Sequence, residues 1–358
     1  MTDNSLELAD LVGRLILAGF EGRHFPEVAE LITRVRPAGL IFFKRNYDRA
    51  GGPAQLRELI ASAQALAQSQ LGRPLLMAID HEGGLVQRLP TPYTRLPAAA
   101  EMAANFGPSE AAGLTLQGAR ELAATGFNLN MAPVLDVARP GSFIGSRSFG
   151  DSPELVTAYG RACLAAYHQA GLLGVGKHFP GLGAAMIDPH HDLPTLATPA
   201  SRLRKVDLSP FQALGREGLA AIMTTHARYP SMDGHRPVTF SGKIVGRLKR
   251  ETGFGGAVLT DDLEMGAVVK NIQPGEAAVQ AILAGHDLAL ICRRRAYINE
   301  AQEALATAVR RSRISPGRLA DATGRTEALL SRLSGLWPAQ ATLDQWFGEL
   351  LNRRQDQP

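Results

Sequence analysis

Acidic and basic residues stand at the C-terminal ends of several short apolar runs in this chain, and their types define a narrow chemistry. One run ends in Asp80 and continues as Asp80-His81-Glu82-Gly83-Gly84-Leu85-Val86-Gln87-Arg88. Another leads into Asn130-Met131-Ala132-Pro133-Val134-Leu135-Asp136. A third ends in Lys177-His178 and is followed by Asp188-Pro189-His190-His191-Asp192, and later runs end near His226 and in Asp261-Asp262. Taken singly, each has a structural alternative: Asp80 as a turn cap, Arg88 as a surface arginine, Asp136 as a hydrogen-bond acceptor. Gathered on one face they are harder to explain by structure alone, because clustered charges lose hydration. Two carboxylates on opposite sides of a pocket, one a nucleophile and one supporting a proton donor, suit cleavage of a glycosidic bond. Asp261, at the end of its run, is the rigidly placed candidate. Asp188 could orient His190 and stabilise its imidazolium, making that histidine the acid/base near neutral pH. Asp80, Arg88, Arg147, Lys177 and His178 would then supply donors and acceptors for ring hydroxyls or an acyl-amide group.

The elements that must position these groups can be read from hydrophobic patterning. Eight apolar runs recur, at 15–20, 39–43, 74–80, 127–133, 172–178, 218–225, 256–261 and 286–292. They are continuous rather than alternating, as expected of strands buried on both faces. Stretches with helical spacing lie between them, such as Leu56, Leu59, Ile60, Ala63 and Leu66 within 53–70. Eight strands alternating with helices indicate a parallel α/β barrel, and no G-x-G-x-x-G loop follows the first strand to favour an open sheet. We therefore expect a single (β/α)8 TIM-type barrel over residues 1–335, with some irregularity allowed. A helical tail over 336–358 should pack on or near it through Leu343, Trp346, Phe347, Leu350 and Leu351. In such a barrel, chemistry sits at the C-terminal ends of the strands, where the charged residues fall.

Composition sets outer limits. The chain has 358 residues, 45% hydrophobic and 20% charged, which is globular rather than disordered. A net charge of +4 is too small for a nucleic-acid or membrane footprint. The two cysteines, Cys163 and Cys292, cannot build a disulfide framework and sit in apolar runs, as buried hydrophobes would. No basic n-region or long uncharged stretch marks a signal peptide or membrane helix, so a soluble, cytoplasmic protein is expected.

Six of these motifs, in order over roughly residues 10 to 295, resemble the bacterial β-N-acetylglucosaminidases of glycoside hydrolase family 3. They are Ile79 to Arg88, Asn130 to Asp136, Arg147-Ser148-Phe149-Gly150, Lys177-His178-Phe179-Pro180-Gly181, Asp188-Pro189-His190, and Leu259-Thr260-Asp261-Asp262-Leu263. The resemblance implies a retaining hydrolase that removes terminal, non-reducing β-linked N-acetylglucosamine. It implies Asp261 as nucleophile, Asp188 and His190 as an acid/base dyad, and Asp80, Arg88, Arg147, Lys177 and His178 as sugar-binding positions. It further implies muropeptide fragments of peptidoglycan as substrates, processed in the cytoplasm; separately, a monomer or weak homo-oligomer is expected. No cofactor or metal is implied.

The chain departs from the family pattern in one loop. Leu182 stands where the family usually has a histidine, Ala184-Ala185-Met186 where polar residues usually follow, and Pro189 where serine is common. Proline restricts both itself and Asp188, which predicts a stiffer or differently shaped loop. The flanking Gly174, Gly176, Gly181 and Gly183 suggest instead that the loop opens and closes. Two rival readings are a non-catalytic sugar-binding barrel, motivated by the altered loop, and a metal-dependent barrel hydrolase drawing ligands from Asp188, His190, His191 and Asp192 with His178 and His226. The first strand lacks the H-x-H that such hydrolases carry.

Overall fold

A computed structural model describes residues 3–189 and 191–353. Eight parallel strands close into a barrel in chain order: β1 (Ile16–Gly19), β2 (Gly39–Phe42), β3 (Leu76–Ile79), β4 (Leu129–Asn130), β5 (Leu173–Phe179), β6 (Ala221–Thr224), β7 (Ala257–Asp262) and β8 (Leu288–Ile291), with β8 returning to β1. All eight coincide with the apolar runs of the sequence, and the expected (β/α)8 barrel is the fold. Cys163 and Cys292 are both buried and unpaired as thiols.

Side-chain alternation divides the strands into two cores. Leu17, Ile41, Leu76, Ala78, Leu173, Val175, Ala257, Leu259, Leu288 and Leu290 fill the barrel interior. Their neighbours Ile16, Ala18, Leu40, Phe42, Met77, Ile79, Val258 and Ile291 point outward into the layer beneath the helices. Strand β4 is the irregular member, with two residues only. Its ladder is completed by side chains: the Asn128 carboxamide pairs with Met77 N–H and Leu75 C=O, and that of Asn130 with His81 N–H and C=O, at 2.7–3.0 Å. Each asparagine supplies the donor and acceptor that a longer strand would have supplied.

The outer helices follow ordinary rules. In Pro153–Gln169, Ser152 accepts the Leu155 N–H as N-cap and proline takes the first helical position. Val156, Tyr159, Gly160, Cys163, Ala166 and Tyr167 make the inward face. Gly160 is required there, because a Cβ would stand 2.7 Å from Leu135 and 2.9 Å from Leu214.

Two C-terminal helices finish the molecule. Helix Pro316–Ser334 closes the N-terminal end of the barrel, inserting Leu329 and Leu333 into the interior core. Helix Gln340–Asn352 buries Leu343, Phe347 and Leu350 in the outer layer beside helix Pro108–Thr125. Arg57 and Arg120 lie over the rings of Phe347 and Trp346 at 4.4 and 5.3 Å. Helix Gln340–Asn352 thus lies on the barrel's flank, while the helix before it fills the open end.

Candidate active site

Strand alternation aims the chemistry. Asp80 continues the inward series Leu76, Ala78; Lys177 continues Leu173, Val175; and Asp261 continues Ala257, Leu259. The three side chains therefore form the next layer above the barrel's apolar filling, at the C-terminal mouth. Together with Arg88, Arg147 and His178 they line one cavity of about 110 Å³. Six of the eight residues singled out in the sequence are thus brought together.

Charges in the cavity floor form a continuous network. Arg88 Nη2 bonds Asp80 Oδ2 at 3.1 Å, and Lys177 Nζ bonds Asp80 Oδ1 at 2.7 Å and Glu82 Oε1 at 2.6 Å. Arg147 grips Glu82 with two nitrogens, at 2.9 and 2.7 Å. Burial opposes ionisation of Asp80, but Lys177 and Arg88 outweigh it and hold the carboxyl well below the usual carboxylate range. The same balance lowers Glu82, through Lys177 and Arg147, and raises Lys177, through Asp80 and Glu82. The floor is therefore fully ionised at neutral pH and fixed before any ligand arrives. Arg88 Nε is buried without a hydrogen-bond partner, and its guanidinium lies 5.2 Å over the ring of Phe43 at the cavity wall.

His178 is set by Asp136, which is fully buried. Asp136 Oδ2 lies 2.7 Å from His178 Nδ1, while Oδ1 accepts the backbone N–H of His178 at 3.2 Å and of Leu182 at 2.6 Å. The other ring nitrogen faces Arg147 Nη2 at 3.5 Å. A guanidinium has donors only, so Nε2 faces Arg147 as an acceptor and Nδ1 faces Asp136 as the donor.

The loop after β5 folds over this floor. Gly183 C=O accepts Arg139 N–H at 2.8 Å, and Ala185 C=O accepts Phe143 N–H at 3.0 Å and Ser142 Oγ–H at 3.1 Å. Leu182 and Pro189 both line the cavity. Pro189 C=O accepts Ala267 N–H at 3.3 Å, which ties the loop to the segment beyond β7. Asp188 is half-buried, and its carbonyl accepts the N–H groups of His191 and Asp192. His190, expected as the dyad's histidine, lies outside the described residues. The glycines that suggest mobility have packing roles: a Cβ on Gly174 would meet Leu164 at 2.6 Å, and one on Gly176 would meet Leu135 at 2.7 Å.

Asp261 and Asp262 end β7 in different surroundings. Asp261 Oδ1 accepts Asp262 N–H at 2.8 Å, and its side chain opens on the cavity. Asp262 Oδ1 accepts N–H groups from Glu264 at 3.0 Å and Cys292 at 3.1 Å, joining β7 to β8. Burial, with the charges of Glu264 and Asp261, pushes Asp262 up to about 7. His226 is fully buried, with Nε2 2.9 Å from the Asp262 carbonyl and Nδ1 2.6 Å from Thr239 Oγ1. The carbonyl demands a donor, so Nε2–H donates to Asp262, and Nδ1 pairs with the Thr239 hydroxyl. His226 thus supports the strand that carries Asp261. Among the described residues no cluster of three histidine, cysteine, aspartate or glutamate side chains could hold a metal ion.

Sequence reasoning assigns no role to Glu82 and reads Asp136 as a bare hydrogen-bond acceptor. A signal for Glu82 exists. In an extended segment, residues two apart share a face, so Glu82 joins Asp80 beside the lysine. The pairing of Asp136 with His178 spans two strand ends and has no local signal.

Comparisons with known proteins agree with this geometry. The profile of the glycosyl hydrolase family 3 N-terminal domain matches residues 8–329. A protein named β-hexosaminidase from Alkalilimnicola ehrlichii is 40% identical over 291 residues, covering 79% of this chain and 81% of its own. One of the same name from Methylococcus capsulatus is 38% identical over 308 residues, covering 83% and 87%. The structure of a glycoside hydrolase family 3 β-N-acetylglucosaminidase from Paenibacillus sp. superposes with a TM-score of 0.85 at 38% identity, covering 93% of this chain. The present chain spans 64% of that protein. With the charged mouth, the closed eight-stranded barrel and these matches together, the chain belongs to glycosyl hydrolase family 3.

Proposed function

We propose that this protein is a retaining β-N-acetylhexosaminidase that releases terminal, non-reducing β-linked N-acetylglucosamine, with peptidoglycan-derived muropeptides in the cytoplasm as its substrates. The observation that carries the reading is the single cavity lined by Asp80, Arg88, Arg147, Lys177, His178 and Asp261. Its ionised floor offers fixed donors and acceptors for the hydroxyls of a sugar ring. The name of the Paenibacillus neighbour, a β-N-acetylglucosaminidase, supports the N-acetyl sugar, and the names of the curated relatives support a hexosaminidase.

In this mechanism the Asp261 carboxylate attacks the anomeric carbon, forming a glycosyl ester as the bond to the leaving oxygen breaks. His190, oriented by Asp188, donates its proton to that oxygen. It then takes a proton from the water that hydrolyses the ester, restoring both groups. The floor holds the ring in register for the in-line approach. No step draws on a metal or cofactor.

The decisive experiment compares nitrophenyl β-N-acetylglucosaminide with nitrophenyl β-glucoside, using the native protein and Asp261→Ala, with and without a chelator. Turnover of the N-acetyl substrate alone, unaffected by chelator and reduced roughly 1,000-fold or more in the variant, is expected, about 4 kcal/mol of transition-state stabilisation. Activity surviving in Asp261→Ala but lost in Asp262→Ala would move the nucleophile to the neighbouring residue. Silence on both glycosides from a folded protein would leave a sugar-binding barrel.

A further inference from the structure

The polarity of the cavity changes sharply from floor to rim. Its floor is charged, but Phe43, Phe143, Leu182 and Met265 form apolar wall. Above this wall, large apolar side chains face solvent. Leu85 is 82% exposed at the turn of the hairpin following β3, and its neighbour Val86 lines the cavity. Met186 and Ile187 are 68% and 55% exposed at the tip of the loop following β5, and both ends of that tip, Leu182 and Pro189, line the cavity. Among the described residues seven large hydrophobic side chains are exposed, and these three flank the one opening that holds the charged network. The other four, Leu6, Leu155, Leu283 and Trp337, are on helices or at the opposite end of the barrel.

Loop anchoring makes this exposure a property of the fold. Gly183 and Ala185 are pinned by Arg139, Ser142 and Phe143, and Pro189 by Ala267, so Met186 and Ile187 are held out between fixed points. An apolar side chain kept in water beside a binding cavity lowers the free energy when an apolar surface covers it.

We infer that Leu85, Met186 and Ile187 form an aglycone subsite that packs on an apolar face of the leaving group, such as the C–H face of a sugar ring or an aliphatic side chain of an attached peptide, and so favours it over a leaving group with no apolar face. This rests on the reading of the cavity as a glycosidase site. The anomeric carbon must reach Asp261 in the floor, so the group attached to it leaves through the mouth, between the hairpin and the loop. That continuity with the reaction centre identifies the occupant. The sugar is recognised by the ionised floor and the aglycone by the apolar rim.

The test compares hexyl with methyl β-N-acetylglucosaminide. The two alcohols are nearly equal as leaving groups, so the ratio of their kcat/KM values reports contact with the alkyl chain rather than chemistry. Hexyl is expected to exceed methyl by about tenfold, the effect of covering roughly two methylene groups. The ratio should fall toward one in Met186→Ser/Ile187→Ser and, on a separate element, in Leu85→Ser, with thermal melting verifying that each variant is folded. Equal turnover of both glycosides by the native protein, or a ratio unmoved by both sets of substitutions, overturns the subsite alone. Turnover of neither glycoside by the folded native protein overturns the glycosidase reading, and this inference with it.

Discussion

Asp261 and Asp262 are adjacent in sequence, yet their carboxyl groups do different work. Asp261 opens on the cavity beside the ionised floor. Asp262 accepts two backbone N–H groups and sits where burial pushes it up to about 7. A carboxyl raised above its usual 3.8 adds stability that is complete below that value and is lost as pH rises through about 7. Asp262→Asn keeps the Oδ1 acceptor and cannot ionise. The stability of the native protein relative to this variant should therefore fall between about pH 4 and pH 8, by about 2–4 kcal/mol. Urea unfolding of the two proteins at about pH 5 and pH 8 measures it. The comparison cancels Asp207, another buried carboxyl, pushed up to about 6, because both proteins carry it. A difference that stays constant or grows with pH would show that Asp262 is ionised in the fold throughout.

At the scale of elements, the site depends on loops held closely against one another. Gly183 is one tight point: a Cβ there would stand 1.9 Å from the Val137 carbonyl oxygen, on the segment that also receives the Gly183 carbonyl. Gly183→Ala must push the two loops apart. It should cost about 1–3 kcal/mol in stability and lower kcat/KM about tenfold or more, since Leu182 and Pro189 move with the backbone. Gly113→Ala, in helix Pro108–Thr125 with open space around it, should be neutral or stabilising by up to about 1 kcal/mol. Thermal melts and turnover of the native chain, the two single variants and the double variant test the contrast. Equal behaviour of both alanines would mean that the loop relaxes freely.

Legibility in the sequence has the same local physical basis. Strands buried on both faces write themselves as apolar runs, so all eight can be read from the residues alone, and Asp80, Lys177 and Asp261 follow from their strand ends. Strand β4 is legible as a run, although its pairing relies on the side chains of Asn128 and Asn130, which no periodicity reports. The role of Asp136 depends on a bond to His178, 42 residues away, and local pattern carries no information about that distance. Glycine misleads for a related reason. Gly174 and Gly176 can permit motion or close packing, and only their neighbours, Leu164 and Leu135, decide between them.

For the whole molecule, the candidate site and the helix that completes the interior core lie at opposite ends of the barrel. The mouth holds the ionised network, while the far end is shut by helix Pro316–Ser334, whose Leu329 and Leu333 complete the interior core. Arg318 fastens that helix. Its Nε donates to the Ile282 carbonyl at 2.9 Å, and Nη2 donates to the His286 carbonyl at 2.6 Å and to Asp287 Oδ1 at 3.0 Å. Asp287 is fully buried at the start of β8, with its other oxygen accepting Val258 N–H at 2.9 Å. Burial raises the Asp287 carboxyl, and Lys249 and Arg318 pull against that rise. Removing the guanidinium leaves Asp287 with Lys249 at 3.5 Å as its remaining cation and strips partners from two carbonyls. Arg318→Met, which keeps the stem's packing, should therefore cost about 2–4 kcal/mol in unfolding free energy. The kcat on the preferred glycoside should change by less than about twofold, because no mouth residue loses a contact. A loss of kcat at unchanged stability would mean that the two ends of the barrel are coupled, and that the floor at Asp80 and Lys177 depends on the far end for its geometry.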